Sequence, residues 1–172
     1  MADVIRKLIR DVPDFPKPGI LFRDITPLLR DPRGLNHCID LLTDPFRDAG
    51  VDIVAGVESR GFIFGTLVSQ RLGKGFVPIR KPGKLPCETV SASYELEYGT
   101  DTVEIHRDAV EKGQRVLLVD DLIATGGTLE AARKLVTTLG GEIVGCSIVI
   151  ELAFLKGRDR LPGLPINALL TY

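Results

Sequence analysis

The sequence predicts an α/β fold: a mainly parallel, twisted sheet flanked by helices. Three observations predict it. Apolar runs rich in β-branched residues recur at VDIVAGV (Val51 to Val57), RVLLVDD and EIVGCSIVIEL, and they read as strands buried on both faces. Two of these runs end in a short polar or small-residue turn, ESRG and DDLIATGGT. Each turn opens a helical stripe: Phe62, Ile63, Leu67, Val68 and Leu72 ending at Gly73, and Leu129, Ala132, Leu135, Val136 and Leu139 ending at Gly140-Gly141. Strands alternating with helices build a parallel sheet. The ligand site of such a sheet lies beyond the carboxyl ends of its strands, near a switch in strand order.

The remaining elements follow along the chain. VIRKLIRDV sets Val4, Ile5, Leu8 and Ile9 at helical spacing and stops at Pro13. DFPKPGILFRDITPLL carries three prolines and a glycine, so an ordered but irregular arm is expected, buried through Ile20, Leu21 and Phe22. HCIDLL continues as a helix from Leu35, interrupted at Pro45, and KGFVPI reads as a short strand. Pro82 to Ala92 is read as a long loop, and SYELEY and TVEIH alternate as half-exposed strands. EIVGCSIVIEL is taken as the last strong strand. The whole of 1–172 is expected to form one domain, with 1–34 as an N-terminal arm or hood and 35–172 as the core.

Composition narrows the function classes. A chain of 172 residues buries roughly 70% of its unfolded surface, enough for a sizeable core. With 22 Lys plus Arg against 23 Asp plus Glu, the net charge of -1 argues against broad nucleic-acid or membrane binding. Cys38, Cys87 and Cys146 form no CxxC pair and no disulfide framework, and no apolar run approaches membrane-spanning length. Cytoplasm is the expected location. No His/Cys cluster points to zinc, and His37 and His106 read as bystanders.

The strongest motif is VLLVDDLIATGGT. Ala124, Thr125, Gly126, Gly127 and Thr128 can present successive backbone N–H groups to a phosphate at the mouth of a helix, whose dipole favours an anion. Asp120 and Asp121 would repel that phosphate but suit neutral donors such as ribose hydroxyls. The stretch is neither a Walker loop nor a GxGxxG fingerprint. A second asymmetry lies between Glu58 and Glu88, where the basic residues are Arg60, Arg71, Lys74, Arg80, Lys81 and Lys84 and no acid intervenes. Arg71 and Lys74 fit helix-end pairing, whereas Arg60, in the turn after a buried strand, could grip phosphate oxygens with both prongs. A basic loop around Arg80, Lys81 and Lys84 suits a lid over a pyrophosphate leaving group. Glu95 and Glu97 point the same way on a regular strand, and periodicity does not choose between them as a proton acceptor.

These residues resemble the type I phosphoribosyltransferases, and within them the adenine phosphoribosyltransferases. The likeness rests on FPKPGILFRDITPLL, VAGVESRGFIFG, RKPGKLP, YELEYGTDTVEIH and VDDLIATGGT, which span nearly the whole chain. The resemblance implies transfer of phosphoribose from phosphoribosyl pyrophosphate to adenine, giving AMP and pyrophosphate in purine salvage. It implies that Glu58, Ser59 and Arg60 bind pyrophosphate with Arg80, Lys81 and Lys84, under a flexible lid that includes Tyr98. It implies that Glu97 and Arg60 are catalytic and that Phe22, with the backbone of Leu21 and Arg23, holds the base. Mg²⁺ is expected to arrive on the pyrophosphate, touching Asp120 or Asp121 only through water. A homodimer is implied as well, with a residue matching Arg80 or Lys81 reaching the neighbouring subunit. The rival readings are a phosphoribosyltransferase for hypoxanthine, guanine, xanthine or orotate, and a ligand-sensing regulator of the same fold. A sensor is expected to carry an added DNA-binding segment or a degraded pyrophosphate turn, and ESRG is intact.

Overall fold

The computed structural model describes residues 2–95 and 99–172. The N-terminal part is not one helix. α1 covers only Ala2–Arg6, and the chain then enters an antiparallel hairpin of β1 (Arg10–Pro13) and β2 (Leu21–Asp24). Pairing with the arm thus overrides a helical pattern that locally ran on to Pro13. Ile5 and Ile9 are still buried, whereas Val4 stands 57% exposed. Two helices follow. α2 is Thr26–Arg30, and α3 is Pro32–Thr43, starting three residues before Leu35 because Asp31 caps it through the N–H groups of Arg33 and Gly34. A short 3-10 turn at Asp44–Phe46 takes up Pro45.

The main sheet has five strands, all parallel: β3 (Ile53–Val57), β4 (Gly75–Ile79), β7 (Arg115–Ile123), β8 (Glu142–Glu151) and β9 (Ile166–Thr171). Their order across the sheet is β4-β3-β7-β8-β9, so the chain grows outward from β3 on one side and from β7 on the other. The switch point is the β3–β7 boundary. β9 lies beyond the run taken as the last strand; INALLT is short and only its Leu170 is fully buried. β5 (Thr89–Glu95) and β6 (Thr100–His106) form a separate antiparallel hairpin, joined to the main sheet by an Arg80–Glu104 bridge. Strand β5 begins at Thr89, so the irregular loop is shorter than Pro82 to Ala92. Alternate residues of β5, Ala92 and Tyr94, need burial, and that draws the end of the stretch into the hairpin.

Helices cover both faces. α5 (Gly127–Thr138) packs with the β5–β6 hairpin on one face, burying Leu129, Ala132, Leu135 and Val136 as the stripe predicts. α3 and α4 (Arg60–Leu72) cover the other face together with the N-terminal hood. The stripe predicted for α4 is partly out of phase. Its buried residues are Gly61, Phe64, Gly65, Val68 and Ser69, and Ile63 is 38% exposed. Glycine has no side chain to register as hydrophobic, yet here it marks the side of closest approach. A methyl on Gly65 would come within 2.6 Å of the Phe76 ring, and one on Gly61 within 2.7 Å of Asp120 Oδ1. Cys38 and Cys146 are buried core residues, their thiols pushed up to about 12 by burial. Among the described residues no helix is long and apolar enough to cross a membrane.

Candidate active site

Two turns meet at the switch point. The turn Glu58-Ser59 after β3 leads into α4, and Ala124 to Gly126 after β7 leads into α5. Between them lies a cavity of about 380 Å³, lined by Glu58, Ser59, Arg60, Lys81, Tyr94 and the run from Asp120 to Leu129. Ten consecutive residues of the chain line it because β7 ends there and α5 begins there.

The loop enters α5 through a left-handed glycine. Gly126 is the N-cap of α5 at φ 83°, in the left-handed region that favours glycine, and no side chain caps the helix. Among the described residues the first N–H groups of α5 therefore have no side-chain acceptor. Close approaches confine the loop from two sides. A methyl on Gly127 would stand 2.9 Å from the Tyr94 ring, and one on Gly126 only 2.3 Å from the carbonyl oxygen of Gly157.

Asp120 and Asp121 are 8% and 5% exposed. Asp120 Oδ1 accepts from the Asp121 N–H at 2.8 Å. Asp121 Oδ2 lies 2.9 Å from Arg60 Nε, but this buried oxygen accepts no aligned hydrogen bond from the described residues. Burial pushes the Asp120 carboxyl well above the usual range, and the adjacent Asp121 charge adds to that. Burial also raises Asp121, against the opposing pull of Arg60. A buried carboxylate oxygen with no hydrogen bond from the described residues is an acceptor left to be satisfied, and a neutral hydroxyl is a donor that suits it.

The basic side is more paired than its sequence reads. Glu58 accepts from Arg80 Nε and Nη2 (3.3 and 3.2 Å), from Lys84 Nζ (2.9 Å) and from the Lys81 N–H (3.1 Å). Burial alone would raise its carboxyl, but the Lys84 and Arg80 bonds outweigh burial and hold it at about 2. Arg80 and Lys84 thus converge on Glu58 and do not line the cavity, while Lys81 does. Lys81 is ion-paired to Asp101 and also donates to Tyr94 Oη at 3.4 Å, and Tyr94 in turn donates to Asp101 at 3.0 Å. Sequence reasoning missed Tyr94 and Asp101. Strand alternation could have turned Tyr94 inward, but nothing in the sequence marks Asp101 as the partner of Lys81.

The hood reaches the site through one ring. Phe22 packs edge-on to Phe15, and the Arg60 guanidinium lies 5.3 Å from its centre, so Arg60 touches both the hood and Asp121. Leu21 is 46% exposed. The Arg23 side chain turns away to stack on Tyr172 at 3.8 Å and pair with Asp11, leaving only its backbone for the role expected of it. Glu97 and Tyr98 lie outside the described residues. Glu95, exposed at the end of β5, lines a second cavity with Ser93, Glu130 and Arg160, away from the carboxylate pair. Among the described residues no group of three or more His, Cys, Asp or Glu could hold a metal.

A parallel sheet whose strand order switches at a glycine loop, with an acid pair beside an uncapped helix, matches what the resemblance to phosphoribosyltransferases implies. The phosphoribosyl transferase domain model matches residues 24–162. An adenine phosphoribosyltransferase of Acidobacterium capsulatum is 58% identical over 171 residues, covering 99% of this chain and 94% of that protein. The crystal structure of adenine phosphoribosyltransferase from Thermoanaerobacter pseudethanolicus superposes with a TM-score of 0.97 at 52% identity, covering 100% of both chains. That of Saccharomyces cerevisiae, complexed with an imino-altritol bisphosphate and adenine, gives 0.93 at 43% identity, covering 98% of each. The chain belongs to the adenine phosphoribosyltransferase family.

Proposed function

We propose a division of labour among these residues for the family's reaction, in which adenine and phosphoribosyl pyrophosphate give AMP and pyrophosphate. The activity is phosphoribosyl transfer to adenine, a step of purine salvage. Ala124 to Thr128 hold the 5′-phosphate on the uncapped end of α5. Asp120 and Asp121 accept the ribose hydroxyls, and the observation that carries this is the buried, unbonded Asp121 Oδ2. Ser59, Arg60 and Lys81 face the pyrophosphate. Glu58 acts beside them, by holding Arg80 and Lys84. As the bond from C1 to pyrophosphate lengthens, positive charge grows on the sugar and negative charge on the leaving group, where Arg60 is placed to stabilise it.

Phe22 stacks on adenine, and the backbone of Leu21 and Arg23 reads its edge. N9 attacks C1, and Glu97 takes the proton released from the base. Tyr94, three residues before Glu97, lines the cavity, which supports that reach. The donor set also fits Mg²⁺ brought by pyrophosphate: Asp120 and Asp121 would hold it through its waters, as a small hard cation prefers. When bound, the ion neutralises charge on the departing pyrophosphate. The reading treats 1–172 as one domain, with the 1–34 hood completing the base pocket on the 35–172 core. It also assigns a homodimer and a cytoplasmic location. Exposed Phe15, Ile20, Leu21 and Phe154 are apolar surface that a second copy would bury.

Base choice tests the adenine assignment. In phosphoribosyltransferases for 6-oxopurines the resembling loop typically has an Asp where this chain has Ala124, so the proton must be handled elsewhere. A backbone edge matched to a 6-amino donor leaves polar groups unpaired against a 6-oxo acceptor. We expect hypoxanthine and guanine to be poorer than adenine by at least roughly 10³-fold in kcat/KM. Equal concentrations of the three bases with phosphoribosyl pyrophosphate and Mg²⁺ decide it. Comparable IMP or GMP formation would refute adenine selectivity.

A further inference from the structure

The segment after β8 returns to the phosphate loop from behind. Glu151, the last residue of β8, is 8% exposed and pairs across the sheet with Ile123, at the end of β7. Its two carboxylate oxygens accept from Arg158 Nε and Nη2, each at 2.7 Å. Arg158 Nη1 donates to the carbonyl of Ile166 at 3.1 Å, at the head of β9. Between the partners the chain turns through Lys156 at φ 53° and presents the bare backbone of Gly157 to the loop. A methyl on Gly157 would stand 2.3 Å from the Ala124 carbonyl oxygen and 3.1 Å from the Gly126 nitrogen. Backbone lies on backbone there, and the buried Ile123 side chain closes the same space at 2.8 Å.

We propose that Arg158 is a positioning residue for 5′-phosphate binding. Its two-pronged grip on Glu151 seats Gly157 behind Ala124–Gly126, and that seat fixes the direction in which the loop's N–H groups point. Arg158 does not line the cavity. It acts only through Gly157. A planar fork matched to a carboxylate fixes angle as well as distance, which an ammonium cannot reproduce. Without the seat the loop can relax backwards, and its convergence on the phosphate is lost. The base and pyrophosphate sides are left as they were. The inference rests on the assignment of the loop to the 5′-phosphate.

Titration of the full chain with AMP and with adenosine isolates the phosphate, because the two ligands differ only there. Arg158→Met should raise the AMP Kd about 10-fold or more, the scale on which a supporting contact behind a binding group acts, and leave adenosine unchanged. Arg158→Lys should fall between. A merely structural loss lowers the number of competent sites and leaves the AMP-to-adenosine ratio alone. If Arg158→Met does not fold, Arg158→Lys and Glu151→Gln read the same ratio. Thr128→Pro, which removes a loop N–H together with the hydroxyl in the first turn of α5, where proline is tolerated, is the control for the loop assignment. A control that weakens AMP selectively while the Arg158 and Glu151 variants keep the wild-type ratio overturns the positioning role alone. A control that leaves the ratio unchanged overturns the loop assignment, and the positioning role with it.

Discussion

Replacing Asp121 by Asn should separate stability from affinity, with opposite signs. Asp121 is 5% exposed, and its Oδ2 accepts no aligned hydrogen bond from the described residues although Arg60 Nε is 2.9 Å away. Burial raises its folded-state pKa above 3.8, and Arg60 offsets only part of that. An acid with a raised folded pKa costs stability in its ionised form. The cost is absent below the unfolded pKa and grows as pH rises toward the folded one. Asn keeps the shape and removes the charge, so the unliganded variant should melt no lower than the parent at neutral pH. Binding moves the other way. A lost hydrogen bond to a charged acceptor costs about 1.5–3 kcal/mol, or roughly 10- to 150-fold in Kd for phosphoribosyl pyrophosphate.

Both effects appear in thermal melts with and without phosphoribosyl pyrophosphate and Mg²⁺. At 100 times the parent's Kd, ligand stabilises the parent by about 2.7 kcal/mol, and the weakened variant by roughly 0.3–1.3 kcal/mol. At about 2–4 °C per kcal/mol for a chain of this size, the ligand should raise Tm by roughly 5–11 °C in the parent and 1–5 °C in Asp121→Asn. Equal ligand-induced shifts would remove Asp121 from the ribose site. A variant that melts well below the parent without ligand would show that the carboxylate is structural.

Three further outcomes are expected. Glu97→Gln should lower kcat by roughly 10²–10⁴-fold with little change in the KM for adenine, whereas Glu95→Gln should do little; steady-state kinetics on both variants exposes a wrong choice of carboxylate. Amide exchange across residues 82–88 should slow when phosphoribosyl pyrophosphate and a non-reactive base analogue are both bound, and equal protection with and without them refutes a closing lid. Glu58, held at about 2 against 4.5 when unfolded, adds stability that is complete above pH 4.5 and is lost as pH falls toward 2. Melting temperatures of the parent and Glu58→Gln should therefore converge over that window, and parallel curves would dissociate the cation cluster from acid stability.

Most of the fold was legible because its signals are local. The strand runs at Val54, Leu117 and Val149 are apolar on both faces, and the stripe on α5 repeats at helical spacing. Errors came where a distant element outbid the local pattern. Residues Arg10–Pro13 pair with Leu21–Asp24, so the helical spacing of Val4 to Ile9 was cut short. The buried face of α4 differs from its hydropathy stripe because hydropathy scores side chains, and Gly61 and Gly65 carry their information in having none. At both positions the sheet lies so close that a single methyl would collide.

The site divides along the same line. Asp120 to Thr128 is legible because its chemistry is contiguous, with strand end, acid pair, glycine loop and helix mouth all in one run. Lys81 with Asp101, Glu58 with Arg80 and Lys84, and Glu151 with Arg158 form through space. In a chain with 22 basic and 23 acidic side chains each could have had many other partners. Only the topology chooses among them. The consequence bears on affinity. A basic stretch read from sequence counts Arg80, Lys81 and Lys84 as charge available to an anion, yet each is already matched to a carboxylate of this chain. A pyrophosphate that draws on them gains its own contacts and forfeits those pairs, so what these cations add to binding is a difference between two similar interactions. Arg60 stands apart. Its ion pair with Asp121, at 2.9 Å, lacks an aligned hydrogen bond, and its guanidinium lies over the Phe22 ring and lines the cavity, which Arg80 and Lys84 do not. That placement, and not the number of basic residues, favours Arg60 over Arg80 and Lys84 for the leaving-group charge in the proposed division of roles.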